Sequence, residues 1–225
     1  MKFTGKELLI FDLDGTLIDS AQDLARSVNF MLQEIGEKPF SEALIHTWVG
    51  NGAQTLVKRA LSGSTKVKED IDKTLFDKAL SIFLEHYKNN LCVKTMPYPG
   101  VMETLHKLHK DGHRLTIVTN KPFDFVAPIL DTLGLAELFS FVLGGDSLAE
   151  KKPSPTPLLH LCNKFHIDVK NTLMIGDSKN DILAAQAAGM ESIAVSYGYN
   201  YGEDIASYKP SMVVDEFVEI LDLVE

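Results

Sequence analysis

An interruption constrains this chain more than any other feature of its sequence. A single apolar strand, Glu7 to Asp12, is followed by about seventy residues of helical periodicity, and strand–helix alternation starts only after Pro97 and Pro99. Beyond that point Leu115 to Val118, Phe141 to Leu143, Thr172 to Ile175, Ser192 to Val195 and Met212 to Val214 read as strands, with helical patterns between most of them. Strands alternating with helices predict a parallel sheet covered on both faces. The fold class is therefore α/β: a doubly wound (Rossmann-like) core of residues 1–18 and 93–225, with a helical insertion at 19–92. Inside the insertion, Leu24, Val28, Leu32 and Ile35 recur at spacings of four and three, an amphipathic stripe. Ser20, with Asp23 three places on, has the pattern of a capping box that would start this helix, and Pro39 ends the stretch. Further helices are expected over Ser41–Trp48, Gln54–Leu61 and Lys68–Tyr87, with a polar loop at Ser62–Thr65. Ligands of such sheets bind beyond the carboxyl ends of the strands, so an insertion leaving from the end of the first strand hangs over the site as a lid.

Several function classes fall away on composition. The 225 residues carry 22 basic and 31 acidic side chains, a net charge of −9, which disfavours binding to a phosphate backbone. No run approaches the roughly 18 apolar residues of a membrane span. The early run Leu8–Phe11 is too short for a secretory leader, which points to the cytoplasm. Cys92 and Cys162 are too few for a disulfide framework. His106 and His109 read as surface residues of one helix, with a metal site as the minor alternative. No G-x-G-x-x-G follows the first strand, which argues against a dinucleotide-binding oxidoreductase.

Four short motifs carry the chemistry. Asp12-Leu13-Asp14-Gly15-Thr16 follows the first strand and offers two carboxylates, one able to act as nucleophile and the other to shuttle a proton. Plain turn acids are the alternative; a calcium EF-hand loop fails because Leu17 stands where glycine is required. Thr119-Asn120 ends the second core strand and can hold phosphate oxygens. Lys152-Pro153 follows the third and offers one fixed positive charge, with Lys151 beside it. Gly176-Asp177-Ser178-Lys179-Asn180-Asp181 places two more acids at a strand end and on the first turn of the next helix, where Asp181 could instead serve the helix dipole. In one parallel sheet these strand ends share an edge. Four acids, a lysine and a hydroxyl then converge, and a phosphate tolerates that many carboxylates only with a divalent cation among them.

In order and spacing, and over nearly the whole chain, the set Asp12-x-Asp14-Gly15-Thr16, Thr119, Lys152-Pro153 and Gly176-Asp177-x-x-x-Asp181 resembles the haloacid-dehalogenase-like phosphatases. The resemblance implies a Mg2+-dependent phosphatase of a small phosphorylated metabolite, monomeric or homodimeric. It implies Asp12 as nucleophile, forming an aspartyl-phosphate, and Asp14 as proton donor and then base. Magnesium would be held by the Asp12 carboxylate, the Asp14 main-chain carbonyl and Asp177. Thr119, the Asn120 N–H and Lys152 would hold the phosphoryl oxygens, and Asp181 would orient Lys152 or the metal's surroundings. Trp48-Val49-Gly50-Asn51-Gly52-Ala53, Pro97-Tyr98-Pro99-Gly100-Val101 and Val118-Thr119-Asn120-Lys121-Pro122 are similar to the branch of that family acting on 2-phosphoglycolate. Ser154 departs from it, standing where histidine is common. Alternatives are a sugar phosphate or pyrophosphate as substrate, a β-phosphoglucomutase-like phosphotransferase, and, in a different class, a non-catalytic phosphate-sensing module. In the lid, the main-chain N–H groups of residues 50–53 are candidates to meet a substrate carboxylate, Arg59 is expected to face solvent, and Lys121 is a second candidate for an anion.

Overall fold

The computed structural model describes residues 2–225. The chain runs through β1 (Leu8–Phe11) and β2 (Ile18–Asp19) into the helices α1 (Ala21–Glu34), α2 (Glu42–His46), α3 (Ala53–Ser62) and α4 (Lys73–Lys88). It returns through β3 (Met96–Pro97) and continues as α5 (Val101–Lys110), β4 (Arg114–Val118), α6 (Phe123–Thr132), β5 (Phe141–Leu143) and α7 (Thr156–Phe165). The last part comprises β6 (Thr172–Gly176), α8 (Lys179–Ala188), β7 (Glu191–Val195), β8 (Met212–Val214) and α9 (Ile220–Leu223).

Among the described residues, six strands form one parallel sheet in the order β5-β4-β1-β6-β7-β8. β1 and β6 are buried along their whole length, because helices cover both faces of the sheet. Alternation along β1 sorts its side chains. Leu9 and Phe11 join the large core that also packs the lid, whereas Leu8 and Ile10 join the cluster beneath α7 and α8 with Leu158, Leu161 and Met174. From β1 the chain builds outward to β4 and β5, then crosses to β6, β7 and β8 on the other side. That reversal opens a crevice at the carboxyl end of β1, where residues 12–17 begin.

The helices α1 to α4 fall within the span of helical periodicity, with three local differences from the expected bounds. Ser20 and Asp23 do not form a capping box. The start of α1 is satisfied by the Tyr199 hydroxyl, which accepts from Ser20 N (3.0 Å) and Ala21 N (3.2 Å). Asp23 instead turns inward, and its Oδ2 accepts from Lys94 N, Thr95 N and Thr95 Oγ1, each at 2.8 Å, which fixes the segment leading back to the core. α1 stops at Glu34, before Pro39, as the chain turns through Gly36. α4 starts at Lys73 rather than Lys68, because the Asp72 carboxylate accepts from Leu75 N at 2.8 Å and caps it there. The two-residue pair β2–β3, antiparallel, ties together the points where the chain leaves and re-enters the core; its strands are too short to leave a periodicity in the sequence. Among the described residues, no helix is long and apolar enough to cross a membrane. His106 and His109 are exposed on α5.

Candidate active site

The first motif continues the β1 ladder by one bond, Asp12 N to Ile175 O at 2.9 Å, which sets the Asp12 carboxylate at the sheet edge. The chain then doubles back through Gly15 at φ +90°, where a side chain would bring a Cβ within 2.3 Å of Asp177 Oδ2. Only glycine lets the first motif close onto the fourth. The contact is completed by Thr16 Oγ1, which donates to Asp177 Oδ1 at 2.6 Å, while Tyr199 N donates to Asp177 Oδ2 at 2.6 Å.

Asp181 makes contacts on two sides. It forms a capping box with Ser178 at the start of α8, its Oδ2 accepting from Ser178 N (3.0 Å) and Oγ (2.8 Å). Its Oδ1 accepts from Lys152 Nζ at 2.6 Å, and the same ammonium lies 3.0 Å from Asp12 Oδ1. Lys152 is 2% exposed, so of the two adjacent lysines it is the one turned inward. Lys151 Nζ donates to the lid at Asn51 O, 2.9 Å away.

Carboxylate oxygens of Asp12, Asp177 and Asp181 lie within 4.8 Å of one another, all three residues being buried. Burial and the Asp181 charge push Asp12 up to about 7 although Lys152 pulls it down. Burial, Asp12 and Asp181 likewise hold Asp177 well above the usual carboxylate range. Burial opposes the charge on Lys152, but Asp12 and Asp181 outweigh it and hold the ammonium above its ordinary value. Three buried carboxylates against one lysine leave an excess of hard oxygen donors, which fits a divalent cation. Asp181 accepts three bonds and Asp177 two, so Asp177 keeps more lone pairs for an ion.

A small cavity of about 40 Å³ lies between core and lid. Asp12, Asp14, Thr119 and Asn120 line its core side; Leu24, Leu56, Phe83 and Phe125 make much of the rest. Lys152, Asp177 and Asp181 stand behind Asp12 and do not line it. Thr119 and Asn120 are buried at the end of β4, where Thr119 Oγ1 accepts from Lys121 N at 3.2 Å. The Asn120 amide donates to Lys152 O and to Gly50 O of the lid, each at 3.1 Å. Gly50 O also accepts from Asn180 Nδ2 at 3.2 Å, so residues 50–52 rest on core side chains.

The structure brings in Lys121, the second candidate for an anion, together with groups that lie outside the motifs. Lys121 is buried, and its ammonium donates to both oxygens of Asp14 (2.9 and 3.1 Å) and to the Tyr87 hydroxyl of α4 (2.6 Å). Ser20 Oγ donates to Asp14 Oδ1 at 2.5 Å. Tyr199 and Tyr201 come from residues 196–201; their signal in the sequence was position, since they follow β7 at the same sheet edge. Arg59 does not face solvent as expected. Its Nη1 donates to Trp48 O at 2.6 Å and its guanidinium lies over Tyr201, because the end of the short α2 region leaves carbonyls that need a donor.

A doubly wound sheet with acids and a lysine gathered at one edge defines an α/β enzyme. The pattern of the haloacid dehalogenase-like hydrolases matches residues 9–195, and the chain belongs to that family. It is 50% identical to a phosphoglycolate phosphatase of Colwellia psychrerythraea, over 98% of each chain. It is 49% identical to one of Psychrobacter arcticus, over 96% of this chain and 95% of the other. A crystal structure of a predicted phosphoglycolate phosphatase from Haemophilus somnus, 43% identical, superposes with a TM-score of 0.92 over 97% of each chain.

Proposed function

We infer that this enzyme hydrolyses 2-phosphoglycolate to glycolate and phosphate. The observation that carries the chemistry is the buried line Asp12–Lys152–Asp181, with Asp14 two residues from Asp12 and facing the same cavity. Relatives of that name, matching over nearly the full length, support the substrate. Residues 19–92 are assigned as the lid and residues 1–18 with 93–225 as the core, a division supported by the β2–β3 pair at its boundary.

In the first step an oxygen of the Asp12 carboxylate attacks phosphorus. The ester P–O bond breaks, and Asp14 gives its proton to the departing glycolate oxygen. In the second step a water oxygen attacks the aspartyl-phosphate, Asp14 takes the water's proton, and the bond from phosphorus to Asp12 breaks. Thr119, the Asn120 N–H and Lys152 serve the phosphoryl oxygens, with Asp181 fixing Lys152 through the 2.6 Å contact. Asp12, the Asp14 main-chain carbonyl and Asp177 would hold Mg2+. When bound, the ion neutralises charge as two anions approach. Leu24, Leu56, Phe83 and Phe125 exclude water around the transfer.

Phosphate release from 2-phosphoglycolate, sugar phosphates and pyrophosphate, with Mg2+ and with EDTA, tests this. The best rate is expected on 2-phosphoglycolate with Mg2+, and Asp12→Asn should lose at least about 10⁴-fold, as for other covalent nucleophiles. Near-normal turnover by Asp14→Asn would overturn the proton assignment. Another preferred substrate would overturn the substrate, and isomerisation of glucose 1-phosphate without release would favour a phosphotransferase.

A further inference from the structure

Among the described residues lining the cavity, Lys121 carries the one cationic side chain. Nothing in the motif chemistry uses it. Lys152 pairs with Asp12 and Asp181 and is assigned to the phosphoryl oxygens, so Lys121, paired with Asp14 on the cavity wall, is a second buried ammonium placed to meet a second substrate anion. A 2-phosphoglycolate molecule brings one: a carboxylate one carbon from the ester oxygen.

We propose that the Lys121 ammonium, together with the Tyr87 hydroxyl, receives the carboxylate of the substrate and sets the preference for phosphate esters of 2-hydroxy acids. The proposal rests on the phosphatase reading above. Three observations support it. First, Lys121 Nζ lies 2.9 and 3.1 Å from the two oxygens of Asp14. An anion it receives therefore lies beside the group that serves the leaving oxygen, which suits a carboxylate close to that oxygen and not one at the end of a longer chain. Second, one contact to Asp14 is enough to hold the pair, and Ser20 Oγ secures Asp14 independently at 2.5 Å, so the other contact is available for exchange. Third, the Tyr87 hydroxyl oxygen accepts a hydrogen bond from Lys121 Nζ at 2.6 Å and Tyr87 lines the cavity, so its own O–H is left to donate to the incoming anion. Tyr87 comes from α4 and Lys121 from the core, so the subsite exists only with the lid packed on the core. The Tyr87 ring is held by Phe83 (5.8 Å between centroids) and Phe125 (5.3 Å), which aims the hydroxyl without help from substrate. A site built around a buried charge discriminates strongly against an analogue that leaves the charge without its partner.

The test compares two esters of the same size: 2-phosphoglycolate, and 2-hydroxyethyl phosphate, in which a hydroxymethyl group replaces the carboxylate. The wild-type enzyme should favour phosphoglycolate. Lys121→Met should lower kcat/KM on phosphoglycolate by about 10²-fold, mainly through KM, and by at least tenfold less on 2-hydroxyethyl phosphate. Lys121→Arg should recover part of the preference. Tyr87→Phe should move the ratio the same way by a smaller factor. The ratio is taken within one preparation, so a partly folded variant still reports it; should Lys121→Met fail to fold, Tyr87→Phe, which keeps the ring, decides. Equal losses on both esters would overturn the proposal, leaving Lys121 as a residue that only positions Asp14. A wild-type enzyme without preference for the carboxylate-bearing ester would instead overturn the phosphoglycolate reading, and the proposal with it.

Discussion

Core and lid face the same cavity with different kinds of group. The core supplies charge, most of it fixed within the core: Asp12 by Lys152, Lys152 by Asp181, Asp181 by the first turn of α8, Asp177 by Thr16 and by the main chain at Tyr199; Asp14 and Lys121 pair with each other and also bond Ser20 and Tyr87. The lid presents apolar side chains, main-chain groups of residues 50–53 and one hydroxyl, that of Tyr87. Its attachment at Gly50 and Asn51 is neutral on the lid side, through carbonyls accepting from Asn120, Asn180 and Lys151. Groups that need fixed positions for chemistry are anchored to strand ends and share buried ion pairs. Groups that must let substrate in and out are held by a few hydrogen bonds to main-chain carbonyls, each with a modest net worth of about 0.5–1.5 kcal/mol.

That contrast can be broken from the core side first. Lys152→Met leaves Asp12 and Asp181 buried without their cation, and removing one partner of a buried pair costs about 3–5 kcal/mol. Thermal unfolding should therefore move down by many degrees, and turnover should fall by about 10²–10³-fold, as when a charge-stabilising donor is removed. An unchanged melting temperature would contradict the buried network.

The excess carboxylates give a second test. Burial raises Asp12 to about 7, so the folded metal-free protein holds a proton there that the unfolded chain releases near pH 4. This group therefore favours the metal-free fold at low pH, and the advantage is lost as pH rises from about 4 through about 7. An ion bound by Asp12 and Asp177 must displace the protons that burial favours there, so its apparent affinity should rise by at least about tenfold per pH unit below about pH 7. Thermal shifts with and without Mg2+, from about pH 5.5 to 8.5, should widen as pH rises. A shift that does not vary with pH would place the ion elsewhere.

The lid side calls for a smaller effect of another kind. Gly52, at φ +83°, lets the first turn of α3 approach Asn120 O, which a Cβ would meet at 2.6 Å. Gly52→Ala should strain the packing of lid on core by about 1–3 kcal/mol, lowering kcat/KM about tenfold. Because the core's ion pairs do not involve Gly52, thermal unfolding should move down by less than in Lys152→Met. A loss of stability matching that of Lys152→Met would erase the distinction between the two regions.

Much of this site was legible before any coordinates, for reasons that particular residues make plain. Asp12, Thr119 and Asp177 each follow an apolar run, and in a parallel sheet sequence position after a strand becomes a place on one edge. The alternation of Leu8, Leu9, Ile10 and Phe11 between the two faces of the sheet and the helical stripe from Leu24 to Leu32 are local patterns, set by backbone geometry within a few residues. Local pattern was therefore enough for the α/β alternation, the helical run after β1 and the acids at the strand ends. Partners distant in the chain were decided only by the tertiary structure. Asp23, read as a cap, was recruited by Thr95, 72 positions away. The cap of α1 came from Tyr199 instead, 179 positions beyond Ser20. Arg59 was drawn to Trp48 O, and Lys121 to Asp14 and Tyr87. A polar side chain has several chemically equivalent partners, and burial forces it to take whichever one the fold brings within about 3 Å. Periodicity carries no record of that choice.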